Sequence, residues 1–385
     1  MQFTTIIAIV VAAIKSAWTG GSPFAVQTVL YPLNDDGKYI IQSEGIRLAF
    51  TLNGGALSNL WINDTNGIER DIVMGFDHEN DYLNYGGTPW LNGVIGRVAG
   101  IMAGTTFDMH GVPYDIAPEK TTETFTFNGG ERGWGRRRLD VASHSENAVT
   151  FVVFDRSWGG FPGRPAGCIT HLVTPYEWHI ALGLVPVRMP TPVSLSQQVF
   201  WNLDGFASDS PKNILNHRLK LPFSGMRFDV DDDGIPTGGI KPNKKESSYD
   251  FWSESRRIGV VIGDEQSPGH REFDETYMVS RAQPWKFEDN PVAELVSDLS
   301  GIQLKLYTNQ EALKVHAWNS TDELVNLKRG QGQGTVSDYG AISMEMQNWP
   351  DAIHHPEWLR EHEAILEVDK IYGNYANFKF SLLQK

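Results

Sequence analysis

From Tyr39 onward the chain is cut into short runs in which apolar and polar residues alternate: 39–41, 46–52, 148–154, 169–173, 179–184, 219–221, 258–262, 302–307 and 313–318. A period of two sends successive side chains to opposite faces of an extended backbone, so each run reads as a strand with one buried face. Turn residues part the runs, and the 38 glycines and 20 prolines that supply them are spread along the whole chain. Short strands at such intervals belong to an all-β sandwich or barrel. No long helical period competes with this reading. One short helix is expected at 356–364 (PEWLREHEA), where a proline opens a turn of helix formers.

No repeat, low-complexity linker or shift in composition divides the chain, so residues 21–385 read as one domain behind a leader at 1–20. The leader, MQFTTIIAIVVAAIKSAW, holds an apolar run of about ten residues, too short to span a bilayer and suited to a secretory signal peptide, with Ala13 and Ala17 both able to precede the cleavage point. A secretory route is therefore expected, and Asn63-Asp64-Thr65 and Asn319-Ser320-Thr321 are candidate glycosylation sites on it. A single cysteine, Cys168, excludes an intrachain disulfide and reads as a small buried apolar residue. The formal net charge of -14 argues against a nucleic-acid partner, because phosphate would be repelled. The Arg136–Arg138 run reads as a solvated face.

Three patterns that imitate ligand sites do not carry one. Residues 229–234 (DVDDDG) fit the first half of a calcium loop, but Ile240 stands where the bidentate glutamate should be, which leaves an acidic hairpin turn. Gly330, Gly332 and Gly334 alternate without a phosphate-binding lysine or a following helix, and read as a flexible loop. His354 and His355, adjacent in a loop, read as surface or cleft-rim histidines rather than a metal site. No metal and no cofactor is expected.

The stretch with chemical promise is 341–358 (AISMEMQNWPDAIHHPEW), an apolar-leaning strand broken into a loop by Asn348, Pro350 and Asp351. Glu345 thus stands near the end of a strand, where a rigid scaffold can aim it into a cleft. The Glu-x-Gln-x-x-Pro-Asp-Ala order here resembles the signature around the catalytic base of the aldose 1-epimerase (galactose mutarotase) family. Further stretches are similar to that family in its order: 82–107 (YLNYGGTPWLNGVIGRVAGIMAGTTF), 128–134 (NGGERGW), 159–163 (GGFPG), 200–205 (FWNLDG), 229–240 (DVDDDGIPTGGI), 272–279 (EFDETYMV) and 313–319 (LKVHAWN). The resemblance covers nearly the whole chain after the leader. It implies a large twisted antiparallel β-sandwich, the galactose mutarotase-like supersandwich, with an open cleft on one face.

Mutarotation opens a cyclic hemiacetal and closes it on the other face, which needs a base for the anomeric hydroxyl and an acid for the ring oxygen. Carried over by resemblance, Glu345 is the base and Asp274 holds a sugar hydroxyl. Arg97 keeps its place in the Gly-Arg-x-Ala tract and Gln347 its place in the base signature, and both are expected to bind substrate. The other positions differ. The family's substrate-binding Asn and Arg fall on Gly100 and Ile101, its first histidine on Asn128, and its acid histidine on Gln198. Amides donate hydrogen bonds but release no proton near neutral pH. Gln198 and Asn128 therefore occupy catalytic positions without the catalytic group, and water or another histidine such as His316 must serve as acid. With Ile101 for arginine and Trp90, Phe161 and Trp201 as candidate lining, the expected substrate is a small molecule less polar than a free hexose: a sugar derivative, a lactol or a cyclising metabolite. Three functions fit: an isomerase of the aldose 1-epimerase type, a repurposed cyclase or isomerase of secondary metabolism, or a non-catalytic carbohydrate-binding protein.

Overall fold

The computed structural model of the chain describes residues 31–84, 91–117, 124–207, 212–262, 273–282, 286, 288–319 and 324–384. The leader and Trp90 lie outside the described residues. The expected all-β class is the observed one: the sheets are antiparallel and the helices are short turns at their edges. A nine-stranded sheet runs, in spatial order, through Asp140–His144, Ala148–Phe154, Ala166–Thr174, Glu177–Val185, Tyr372–Leu382, Ile302–Thr308, Ala293–Val296, Arg218–Lys220 and Arg256–Arg257. A six-stranded sheet runs through Phe200–Trp201, Ile342–Gln347, Ala312–Ala317, Asp274–Met278, Met226–Val230 and Pro236–Pro242. A four-stranded meander, Tyr39–Ser43 to Glu69–Asp71, joins the same core.

The alternation read in the sequence fixes which faces meet. In Ile302–Thr308 the residues Ile302, Leu304, Leu306 and Thr308 are buried while Gln303, Lys305 and Tyr307 are half-buried. Leu304 pairs with Phe380 and Leu306 with Phe378 on the neighbouring strand, giving one continuous apolar face. Against it the six-stranded sheet turns Tyr277, Leu313, Val315, Met344 and Met346, all in the same core cluster. Each such side chain contributes about 1.5–3 kcal/mol by leaving water, and a Leu313→Ala truncation here costs about 2–5 kcal/mol. Because a strand has only two faces, the residues between these core positions are presented on the opposite side of the six-stranded sheet.

Two local expectations are corrected. Residues Ile258–Ile262 form a short helix rather than a strand; Ile258 is buried but Val260 is 62% exposed, so the run does not alternate, and apolar content alone does not separate the two structures. The segment at 356–364 is not one helix. A 3-10 turn, Pro356–Trp358, and a single α-turn, Glu361–Ala364, are separated by Leu359 in the left-handed region at φ 58°. The glycine-rich loop is anchored: Gln331 is buried and its amide donates to the carbonyls of Asp71 (2.9 Å) and Val73 (2.8 Å). In the acidic turn, Asp231 Oδ1 accepts the backbone N–H of Asp233 (3.0 Å) and of Ile235 (2.9 Å), which makes it a turn-forming group. Cys168 is fully buried, and burial pushes its thiol up to about 12.

Candidate functional site

Strand register builds the site. Phe200, Ser343, His316 and Asp274 form one row across four strands of the six-stranded sheet. Glu345, Lys314 and Thr276 form the next row, and Gln347, Ala312 and Met278 the third. These rows lie on the face away from the core.

Glu345 is the centre of the polar part. Only 2% exposed, it is held through one oxygen, Oε1, which accepts from Gln198 Nε2 at 3.0 Å and from Ser343 Oγ at 2.8 Å. Oε2 receives no donor among the described residues, so one carboxylate oxygen is fixed and the other is left for a ligand. Around it, buried amides carry atoms without partners: Gln198 Oε1, and both the oxygen and the nitrogen of Gln347. Leaving a buried polar atom unpaired costs about 1–3 kcal/mol, and a side chain 1% exposed with two such atoms is what a ligand-binding position looks like before its ligand arrives.

Two glycines bring the other motifs to this carboxylate. A Cβ on Gly129 would fall 2.2 Å from the carbonyl oxygen of Gly96, so only glycine lets residues 128–134 lie against the Gly96–Arg97 tract. Gly100, at φ +80°, is in the left-handed region, and a Cβ there would stand 3.4 Å from Gln347 Nε2. Asn128 locks this turn: its Oδ1 accepts the N–H of Gly100 at 2.9 Å. Asn128, Gly100, Gln347, Glu345 and Gln198 are therefore contiguous. Ile101 begins the next strand, and its Cδ1 lies 3.5 Å from where a Cβ on Gly234 would be, closing one side against the acidic turn.

Asp274 joins the site from the fourth strand of the sheet, Asp274–Met278. Its Oδ1 lies 2.7 Å from Lys314 Nζ and 3.6 Å from His316 Nδ1. Burial alone would raise this carboxyl, but Lys314 and His316 hold it below the usual carboxylate range. Burial conversely would lower the Lys314 ammonium, and Asp274 and Glu345 together raise it above the ordinary lysine value.

Three expected site residues lie elsewhere. Arg97 is 1% exposed, with Nε 3.1 Å and Nη2 2.8 Å from Asp155 Oδ2; Nη1 donates to Thr191 Oγ1 at 2.6 Å and to the carbonyl of Pro162. It is a buried clasp for the scaffold. Trp201 is fully buried in the main core against Trp178 and Phe378, because it pairs with core-facing Ile342; its neighbour Phe200, paired with Ser343, turns to the opposite face, where it is buried in a second cluster with Met74, Phe206 and Trp318 and meets His316 edge-on at 5.7 Å. Phe161 packs into a separate cluster with Met102, Phe107 and Ile116. Trp90 falls outside the described residues. Asn63 is exposed at the end of strand Leu57–Asn63, and Asn319 is half-buried with the rest of its sequon outside the described residues.

Lys314, Ser343 and Phe200 were not singled out from the sequence. The usable signal was parity: Lys314 lies two residues from His316, and Ser343 two from Glu345, so each shares a face with a residue already under suspicion.

Comparison with known proteins agrees with this architecture. The family model for aldose 1-epimerase matches residues 37–378. The chain is 50% identical to the protein named Epimerase FSL3 of Gibberella zeae, over 97% of this chain and 91% of that one. It is 28% identical to the human galactose mutarotase, over 90% and 94% respectively. The crystal structure of a GalM/aldose epimerase homologue from C. elegans superposes with a TM-score of 0.77 at 21% identity, covering 90% of this chain and 99% of that one.

Proposed function

This chain belongs to the aldose 1-epimerase family, and on that premise we propose that it opens and recloses the ring of a hemiacetal, a sugar derivative or lactol, with Glu345 as the base. The observation that carries this is the asymmetry of the Glu345 carboxylate: among the described residues Oε1 is fixed by Gln198 and Ser343, while Oε2 receives no donor and stands beside amide atoms of Gln198 and Gln347 that have no partner there. In the forward step Glu345 takes the proton of the anomeric hydroxyl, the ring C–O bond breaks, and the ring oxygen is protonated. Rotation about the bond next to the new carbonyl and reversal of these transfers yield the other anomer, with no net change in protons.

The amides act as holders. Gln198 spends its N–H on Glu345, so the atom it offers a ligand is its oxygen, which accepts from a hydroxyl. Gln347 offers both an acceptor and a donor. A hydroxyl-bearing ligand meets this pattern better than the bare carbonyl of a cyclase substrate, which Gln198 in this orientation cannot bind. Ala312 and Met278 continue the third row beyond Gln347, and Ile101 stands where the family places an arginine, so the substrate is less polar than a free hexose. Family membership implies a sugar-like small molecule as substrate, and among the described residues no helix is long and apolar enough to cross a membrane. The leader and the exposed Asn63 support a secretory route.

Two rate measurements with the purified chain test the reaction: polarimetry of freshly dissolved α-D-galactose, and exchange NMR of 2-hydroxytetrahydropyran, whose ring and open-aldehyde forms coexist. The proposal expects acceleration of ring opening, greater for the lactol. Acceleration of neither overturns it.

A further inference from the structure

Gln198 stands where the acid of this reaction is expected, and an amide has no proton to give. We propose that Lys314 is that acid, the group that protonates the ring oxygen while Glu345 holds the proton of the anomeric hydroxyl. This rests on the hemiacetal reading of the Glu345 site.

The geometry selects Lys314. The two oxygens of a hemiacetal are bonded to one carbon, so the acid and the base that serve them must be immediate neighbours. Lys314 is the residue directly opposite Glu345 on the adjacent antiparallel strand, an arrangement that sets Cβ atoms about 4.5–5.5 Å apart on the same face. Its side chain is 17% exposed, and one of its three N–H donors is taken by Asp274 at 2.7 Å. The remaining two have no acceptor among the described residues. Lys314 is also the only lysine or arginine in the three rows that form this face, and Arg97, outside them, is spent on Asp155. His316 is placed less well: it lies opposite Ser343, one row from Glu345, with its ring edge-on to Phe200 and its Nδ1 buried.

The proton inventory closes. When the ring C–O bond breaks, its electron pair goes to the ring oxygen. An alkoxide is a stronger base than an amine, so the proton passes from the Lys314 ammonium to that oxygen and leaves a neutral amine. On reclosure the hydroxyl returns its proton to Lys314 as it attacks the carbonyl, and Glu345 returns its own to the new anomeric oxygen. The charged groups around Lys314 keep it protonated at the start: Asp274 and, behind the sheet, Glu275 on one neighbouring strand, Glu345 on the other, with His316 two residues along its own.

The test uses the lactol exchange and galactose assays on the whole chain, with Lys314→Met, Lys314→Arg, His316→Asn and Glu345→Gln, each checked for an intact thermal transition. Lysine as acid predicts a rate that stays level from pH 7 through about 9, whereas the rate falls across that range where an imidazole supplies the proton. Lys314→Met is expected to lower the rate about 10²-fold or more. Lys314→Arg, which keeps the charge but holds its proton too tightly, is expected to remain equally slow. A Lys314→Met or Lys314→Arg variant within a few-fold of wild type, while Glu345→Gln is inactive, overturns the role of Lys314 and leaves the hemiacetal reading standing. A wild-type rate that falls through neutral pH and vanishes in His316→Asn assigns the acid to His316 and likewise overturns it. If the wild type accelerates neither probe, the hemiacetal reading fails and this proposal with it. Should Lys314→Met not fold, Lys314→Arg and the wild-type pH profile decide.

Discussion

Replacing Arg97 by methionine separates a scaffold role from a substrate role. The guanidinium is enclosed, with Nε and Nη2 on Asp155 Oδ2 at 3.1 and 2.8 Å and Nη1 on Thr191 Oγ1 at 2.6 Å. Asp155 also accepts Trp134 Nε1 at 3.0 Å and the N–H of Trp158 at 2.9 Å, so it joins residues 96–97, 134 and 158–162 into one unit. Methionine approximates the stem and deletes the charge, which leaves the Asp155 carboxylate buried with two neutral donors. Breaking a buried ion pair from one side costs about 3–5 kcal/mol. A chain of 385 residues has an unfolding entropy of about 0.8 kcal/mol per kelvin at about 2.1 cal/mol/K per residue, so the midpoint should fall by about 4–6 °C. Differential scanning calorimetry reads this directly. At 25 °C the folded variant should keep its turnover within a few-fold, since the Arg97 guanidinium is held by Asp155, Thr191 and the Pro162 carbonyl. An unchanged Tm together with a lost or much weakened ring-opening activity would refute the reasoning and return Arg97 to the substrate.

Three further outcomes follow from individual side chains. His171 is buried with no hydrogen-bond partner among the described residues, stacked on the ring of Phe50 at 4.2 Å, and burial lowers its imidazole to about 3; His217, whose Nε2 accepts the Leu203 N–H at 3.0 Å, is lowered by burial to about 4. Both bind a proton more readily when unfolded, so their stabilising neutral form is fully effective above the unfolded value of 6.5 and stability is lost as pH falls below it. At pH 5 each costs about 2 kcal/mol, and urea unfolding should show His171→Phe losing about that much less than wild type between pH 7.5 and 5. Gln347→Leu forfeits no side-chain hydrogen bond among the described residues, so its Tm should hold within a degree or two while KM for an accepted lactol rises about tenfold or more. Expressed with its leader in a eukaryotic host, the chain should carry a glycan on Asn63; an intact mass that Asn63→Gln changes by no more than the added methylene would remove that site.

Glu345 was legible because the sequence around it encodes its own local structure: an apolar strand, then Asn348, Pro350 and Asp351 ending it, so a carboxylate had to sit near a rim. The sheet architecture was legible for the same reason, since alternation such as that of Ile302–Thr308 is local. What escaped depends on register and on distant partners. Phe200 and Trp201 are adjacent, apolar and aromatic, and only pairing with Ser343 and Ile342, more than a hundred positions away, decides which of them enters the main core and which the opposite face of the sheet. Arg97 sits in a tract that binds substrate in the resemblance, but its role follows from Asp155, which nothing near it announces. Lys314 was hidden by its ordinariness, one lysine in a strand, until the register placed it opposite Glu345.

The central claim is that Glu345 moves a proton, and the exchange rate of 2-hydroxytetrahydropyran with wild type and Glu345→Gln tests it most directly. Glutamine keeps the size and can still accept from Gln198 and Ser343, so the fold and the affinity should persist while the base is lost. The account predicts a rate at least about 10²-fold lower with an unchanged Tm and a comparable Kd. A variant that accelerates exchange as well as wild type would contradict it, and would place the chemistry elsewhere.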